Sequence, residues 1–434
     1  MKSDDPVLVR AEEISPEMKA YYANRPLMWR NLAMFMLLNL GWSLCFNFVG
    51  PLMTLRLSQL GMNSAGLGWW GGVNIVGTGF LTMYFAWKSD HTVTRWGRRM
   101  PYLFFSAPFV ILTVIVFPLI SVLWILVTVW LLQAVFRDAE GATIPLLSVD
   151  CMPRRLLARM SAPLSIMFGI IGFVGIRYGM RLAAVSQGLP YYVGAGIVLA
   201  TTLAGFGIRE PPVKVAGRKE RFKPWSAMEV AWQDRRTILL MVSVGLLYGG
   251  PVVWSWTWLY AFNTLHLSRP VIGVIMAWPQ LVGIATAWPV AWLADRVSPY
   301  KLVPVYWLLC GLPVLLLWLV PTETGLLWSV CAFAMFAPLF VAFNLMVYRN
   351  EHPNKIGSVT STLSFVMALC NGVTSVISGL IIQGTGNNYL AGILYGWLLM
   401  AAGVAGLYTY RHWVSSSEAE VLPSPKLVQA GAEG

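Results

Sequence analysis

Twelve apolar stretches, each about the 20 residues that a helix needs to cross a bilayer, begin near Asn31, Gly66, Tyr102, Ser121, Met160, Leu189, Thr237, Val271, Leu302, Leu326, Ser358 and Tyr389. A chain built this way has little choice of fold, because in hydrocarbon every backbone N–H and C=O must be satisfied inside a helix or a closed barrel. The runs are too long and too continuously apolar for barrel strands, so an all-α membrane protein of twelve transmembrane helices is expected. Composition agrees: 57% of residues are apolar and 12% charged, against about 45–50% and about 25% in soluble domains. Soluble enzymes, nucleic-acid binders and secreted disulfide scaffolds are thereby excluded. The five cysteines, Cys45, Cys151, Cys310, Cys331 and Cys370, show no spacing suited to a disulfide framework or a metal. Residues 1–30 are polar and lack the layout of a signal peptide, so the first apolar segment is expected to remain in the mature protein.

Orientation follows from lysine and arginine. With the N-terminus inside, the cytoplasmic segments hold 26 of the 31 basic residues, leaving only Arg56, Arg137, Arg177, Arg181 and Arg269 elsewhere. Both termini are therefore expected in the cytoplasm, and the formal charge of +12 is a matter of topology and anionic membrane lipid, not of nucleic acid. The long polar segment 209–236, with eight basic and four acidic residues, divides the chain. The expected organisation is a cytoplasmic N-terminal segment (1–30), a six-helix bundle (31–208), a cytoplasmic linker (209–236), a second six-helix bundle (237–412) and a cytoplasmic tail (413–434). An internal repeat supports the two halves. Ala86-Trp87-Lys88-Ser89-Asp90-His91 after the second span recurs as Ala291-Trp292-Leu293-Ala294-Asp295-Arg296 after the eighth. Two parallel, pseudo-symmetric six-helix bundles are the architecture of major facilitator transporters.

The stretch Ser89-Asp90-His91-Thr92-Val93-Thr94-Arg95-Trp96-Gly97-Arg98-Arg99-Met100-Pro101-Tyr102 resembles the loop between the second and third helices of the glycoside-pentoside-hexuronide symporters, which include melibiose carriers, and of plant sucrose carriers. His91 stands where arginine is usual. Arg137-Asp138-Ala139-Glu140-Gly141 in the fourth span is similar to the general facilitator pattern R-x-x-Q-G, with Pro145, Asp150, Pro153, Arg155 and Ala158 at familiar offsets. The proline-containing glycine run of drug antiporters is missing from the fifth span. Carboxylates and arginines at the inner helix ends suit bidentate pairing near the dielectric boundary. Asp90, Arg95, Arg98, Arg99 and Asp150, with Asp295 and Arg296 in the repeat, are accordingly expected to form a cytoplasmic gate; simple obedience to the positive-inside rule is the plainer alternative.

Charges inside a span default to function. In the fourth span Gln133, Arg137 and Glu140 fall on one stripe while Asp138 points about 100° away, so Arg137 and Glu140 are expected to be partners in a central cavity. A static structural ion pair is the alternative. Glu140, with Asp138 as competitor, is the expected proton-coupling residue. Polar stripes run along the first span (Asn39, Ser43, Asn47), the second (Asn74, Thr78, Thr82) and the eleventh (Ser364, Asn371, Thr374, Ser375, Ser378). Neutral amides and hydroxyls suit a polyhydroxylated solute, although helix-to-helix hydrogen bonding explains any one stripe equally well. Trp254 and Trp258 share a helical face, and an indole can stack on a sugar ring. Asn39, Asn47, Gln133, Arg137, Trp254 and Asn371 are the expected substrate-binding residues.

The resemblance also bears on coupling. In melibiose-type carriers two aspartates one turn apart in the second helix supply the cation site, and their places here fall on Thr78 and Thr82. Two hydroxyls replace no charge, so a co-transported proton is expected in preference to sodium, with uniport as the uncoupled alternative. The functional expectation is a secondary carrier in the inner or plasma membrane that moves a small-molecule substrate, foremost a sugar or glycoside, by alternating access. It needs no cofactor and no metal. A carrier of lysolipid or another amphipathic solute is the alternative within the fold, and a non-transporting membrane receptor the alternative of another class. A membrane enzyme is not expected, since no catalytic motif sits at membrane depth and His91, His266, His352 and His412 lie in loops or at span ends.

Overall fold

A computed structural model of the chain describes residues 16–92, 94–151, 154–211, 235–297, 299–336 and 356–421. After a short helix, Pro16–Ala23, come α1 (Arg25–Gln59), α2 (Ser64–Asp90), α3 (Met100–Val116), α4 (Leu123–Cys151), α5 (Arg154–Val185), α6 (Leu189–Gly205), α7 (Arg235–Val252), α8 (Arg269–Arg296), α9 (Pro299–Leu319), α10 (Glu323–Phe336), α11 (Ile356–Gly384) and α12 (Tyr389–Val421). Eight of the described helices are long and apolar enough to cross a membrane, which makes the chain an integral, multi-pass membrane protein. Most of the expected linker, the start of the N-terminal segment and the end of the tail lie outside the described residues. Prolines sit inside several helices, at Pro51, Pro108, Pro145 and Pro163 among others, a placement that membrane helices tolerate because neighbours satisfy the freed carbonyls. Pro251 has a larger effect. Beyond it the winding of α7 passes through a 3-10 segment, Val253–Trp256, one α turn and a π turn, Tyr260–Thr264.

The helices fall into two compact units, one of residues 1–62, 80–222 and 266–284 and the other of 63–79, 223–265 and 285–434. In the first unit α1 packs on α5 and α6, and α3 packs on α4 and α6. The second unit repeats the pattern six helices later, with α7 on α11 and α12 and α9 on α10 and α12. This correspondence is the internal repeat of the sequence expressed as packing. The core of the second unit joins Leu240, Val244 and Leu247 of α7 to Tyr306 and Cys310 of α9, Leu363 of α11 and Met400 and Leu407 of α12. Trp307 and Trp397 stack at 5.1 Å and 4°, each indole N–H donating to the other's backbone carbonyl.

Between membrane helices there is no hydrophobic driving force, so close backbone approach at small residues supplies the contact. In the second unit the first part of α2 lies on α11 in this way: a Cβ added at Gly68 would sit 2.7 Å from the Ser375 carbonyl and 3.0 Å from the Gly379 Cα, and one at Gly72 would sit 2.7 Å from the Gly372 carbonyl. In the first unit α5 meets α8 likewise at Gly172 and Gly273, whose added Cβ atoms would meet Gln280 at 2.7 Å and Met180 at 2.6 Å. A leucine at position 68 therefore has nowhere to go. Gly68→Leu should lower the thermal unfolding midpoint of the detergent-purified protein by an overpacking cost of about 1–3 kcal/mol. Gly77→Ala, whose Cβ meets nothing within 4 Å, should leave it unchanged or raise it. Equal midpoints for the two variants would contradict the close crossing.

Candidate functional site

The arginine-rich loop folds into a charge cluster inside the first unit. Thr94 and Gly97 exchange backbone hydrogen bonds of 3.2 and 3.1 Å across a tight turn, and Gly97 takes φ +112, the left-handed region that glycine enters without steric cost. The turn delivers Arg98 and Arg99 to the start of α3. Arg98 donates from Nε to Asp150 Oδ2 at 3.0 Å and pairs through Nη2 with Asp150 Oδ1. Arg99 donates from Nε to the same Asp150 Oδ2 at 3.1 Å and pairs through Nη2 with Asp90. Its Nη1 donates to the Ser89 hydroxyl and, at 3.3 Å, to the Ala86 carbonyl. Arg99 is 3% exposed and Asp90 49%, so one end of the cluster is dry and the other wet. Asp90, Arg98, Arg99 and Asp150 are thus brought together as expected from their sequence positions.

The cluster has a fifth charged member. Glu210, beyond the end of α6, accepts the backbone N–H groups of Arg98 through Oε2 at 2.7 Å and of Arg99 and Met100 through Oε1 at 2.8 and 2.7 Å. These are amides at the start of α3, where a helix leaves donors unpaired and its dipole favours negative charge. A Cβ at Gly97 would collide with this carboxylate, a second reason for glycine there. The neighbouring Arg209 is pinned as well: its carbonyl accepts from the Tyr21 hydroxyl at 2.7 Å and from Asn31 Nδ2 at 3.0 Å, and its N–H donates to Asn31 Oδ1 at 3.1 Å. The Tyr22 hydroxyl donates to the Asp150 carbonyl at 3.0 Å. Burial pushes the Tyr21 hydroxyl well above the ordinary tyrosine range, so it stays protonated as the donor that this strap requires. Two other expected gate residues lie elsewhere. Arg95 is exposed and stacks on Trp96 at 4.8 Å, and Arg296 stacks on Trp292 at 4.2 Å. The Asp295 side chain lies outside the described residues.

In α4 the structure corrects the expected partnership. Arg137 donates from Nε and Nη2 to Asp138 Oδ1, both at 3.2 Å, and its guanidinium lies 5.9 Å from the Trp130 ring. Helical side chains lean toward the N-terminus, so Arg137 runs back along the helix, away from Glu140, and bends to its immediate neighbour. Glu140 is 1% exposed. Its Oε1 accepts from the Ser106 hydroxyl of α3 at 3.0 Å, and its Oε2 has no partner among the described residues. On the same face Gln133 is fully buried, and neither its amide nitrogen nor its oxygen is bonded among the described residues.

The remaining expected substrate residues divide between the units. In the first, Asn39 and Asn47 donate to carbonyls of their own helix, Phe35 at 2.9 Å and Ser43 at 2.7 Å. In the second, Trp254 stacks on Phe333 of α10 at 4.5 Å, and Asn371 Oδ1 is buried without a partner among the described residues. Trp256, not singled out by helical periodicity, is the indole that inserts, donating to Ser378 Oγ at 2.9 Å. The stripe on α11 is largely consumed by packing. Ser378 receives Trp256 and Ser375 donates to the Gly68 carbonyl at 3.2 Å, so for these two the helix-contact reading holds over the cavity reading, while Thr374 donates to Cys370 of its own helix.

The family model for the Major Facilitator Superfamily matches residues 32–375. No curated protein matches the sequence. Among solved structures, the nucleoside transporter NupG shares 14% identity at a TM-score of 0.66, over 89% of this chain and 98% of its own. A bacterial homolog of the human lysosomal transporter Spinster, inward-facing and occupied, gives 14% and 0.66 over 90% and 97%. A D-xylose–proton symporter gives 12% and 0.62 over 87% and 96%. At such identities the likeness is one of fold.

Glu210 offers a direct test of the cluster. Glu210→Ala removes the acceptor of three backbone donors, at a cost of about 1–3 kcal/mol for each donor left dry. The unfolding midpoint should fall, and hydrogen exchange at Arg98, Arg99 and Met100 should accelerate. Arg95→Gln, at an exposed stack, should change stability by no more than about 0.5 kcal/mol. Unaltered exchange at those three amides in Glu210→Ala would contradict the cap.

Proposed function

The chain belongs to the major facilitator superfamily, a transporter fold and not an enzyme, and from that premise we propose that it is a proton-coupled secondary carrier of a small polar solute, foremost a sugar or glycoside. The observation that carries this reading is the buried face of α4, where Gln133 and Glu140 hold polar atoms without a partner among the described residues, inside a protein whose surroundings are hydrocarbon. Unsatisfied buried polar groups cost about 1–3 kcal/mol each, and carboxylates within spans mark ion and solute pathways. The sugar class rests on the loop resemblance and on the amides Asn39, Asn47, Gln133 and Asn371; Arg137 and Trp254 complete the proposed substrate set.

The topology that serves this function has twelve spans in two six-helix halves, 31–208 and 237–412, with both termini and the 209–236 linker in the cytoplasm of a cell whose inner or plasma membrane holds the protein. The charge cluster then lies at the cytoplasmic mouth. Asp90, Arg98, Arg99 and Asp150, together with Arg95, Asp295 and Arg296, are the proposed gate residues of a carrier that alternates between two states. Glu140 takes and gives the proton, with Asp138 as the competing carboxylate.

In proteoliposomes under an imposed pH gradient, Glu140→Gln should retain exchange of bound solute and lose accumulation down to the gradient-free level, because only the protonation cycle is removed. Asp138→Asn should accumulate normally. Accumulation driven by a sodium gradient, or proton-driven accumulation that survives Glu140→Gln, would contradict the assignment.

A further inference from the structure

A second concentration of positive charge lies in the first unit, away from both the loop cluster and the α4 face. Arg56 near the end of α1, Arg269 at the start of α8 and Tyr191 in the first turn of α6 border a small cleft together with Gln59, Ala183 and Gln187. The cleft has a volume of about 20 Å³, room for one water-sized occupant. Arg56 donates from Nη2 to the carbonyls of Pro118 at 3.0 Å and Ile120 at 2.5 Å and from Nη1 to Gln187 Oε1 at 3.2 Å. Its Nε is buried and has no acceptor among the described residues. Arg269 donates from Nη1 to the Ala183 carbonyl at 2.7 Å.

Charge does not balance here. None of the residues bordering the cleft is acidic, and every ion pair among the described residues is made by Arg98, Arg99 or Arg137. Among the described residues the two positive charges are met only by carbonyl and amide dipoles. Both arginines and Tyr191 line the same cleft. The 17-residue helix α6 begins at Leu189 and adds the positive end of its dipole.

We propose that this cleft binds a chloride-sized inorganic anion between the Arg56 and Arg269 guanidinium groups and the Tyr191 hydroxyl. Size favours a small occupant: a monatomic halide matches a one-water space, whereas a phosphate or carboxylate would have to sit partly outside it. The anion is bound and not carried, because Arg56 anchors the end of α3 and Arg269 anchors α5. Its role is to neutralise the pair and hold these helix ends together, a site separate from the proposed solute pathway.

The test uses the full-length protein in detergent, with thermal unfolding followed as gluconate is replaced by chloride or bromide at constant ionic strength. The unfolding midpoint should rise saturably with either halide. Arg269→Gln should raise the half-saturating concentration at least about tenfold, the loss expected for one charged hydrogen bond. Arg181→Gln, outside the cleft, should leave it unchanged. Since an arginine variant can fail to fold, Gln187→Glu provides the second arm: a carboxylate at the exposed rim beside Arg56 should stabilise the chloride-free protein and abolish the halide response. A response that never saturates, that gluconate reproduces, or that persists in Gln187→Glu would overturn the proposal. Stabilisation by phosphatidylglycerol but not by halide would overturn it in favour of a lipid phosphate.

Discussion

The constraint on which everything else depends is the solvent. Hydrocarbon offers no hydrogen bonds, so the backbone must close on itself in helices, and it offers no hydrophobic gain for pressing two helices together. What remains is dispersion at close range and the few polar contacts that can be made inside. Glycines let α2 approach α11 backbone to backbone, at Gly68 against Gly379 and Gly72 against Gly372. The same condition makes each buried polar atom conspicuous, such as the Gln133 amide, which has no partner among the described residues.

At the ends of the helices the solvent changes, and electrostatics takes over from packing. The loop after α2 carries Arg95, Arg98 and Arg99 within five residues, a density that repels itself unless acids are brought to it. Asp90, Asp150 and Glu210 come from the end of α2, the end of α4 and the segment after α6. Each carboxylate does a different job. Asp150 bridges both guanidinium groups, Asp90 closes the wet side, and Glu210 bonds to backbone, not side chain. The result ties four helix ends together at one corner of the first unit. Removing a single member leaves a nearly buried guanidinium short of charge, the costly way to break such a network.

How much of this was legible depends on whether a partner is local. The helices were readable because hydropathy and length are properties of a single segment, and the repeat after the second and eighth spans announced the correspondence of α1–α6 with α7–α12. Asp90, Arg98 and Arg99 were readable for the same reason. Glu210 was not: it stands among several acids of a charged segment, and nothing local distinguishes it from Glu220 or Glu229. The pairing of Arg137 with Asp138 is not legible because helical spacing locates Cβ atoms, whereas the long guanidinium arm leans back toward Trp130. Trp256 was missed because Pro251 changes the winding of α7, so the 3.6-residue period no longer identifies the inward face. Ser375 and Ser378 show the limit of stripes, since a polar row facing a neighbouring helix looks the same in sequence as one facing a cavity.

A carrier that moves a polar solute between two states differs measurably from a receptor that merely binds one. Counterflow measures this without any assumption about the coupling ion. Proteoliposomes preloaded with an unlabelled sugar are diluted into a trace of the labelled one, and the assay is repeated with nucleosides and lysolipids. The account predicts a transient overshoot of label with a sugar or glycoside, abolished when the preload is omitted. Specific sugar binding with no overshoot would show a receptor, and overshoot only with a nucleoside or lysolipid would place the carrier in another substrate class.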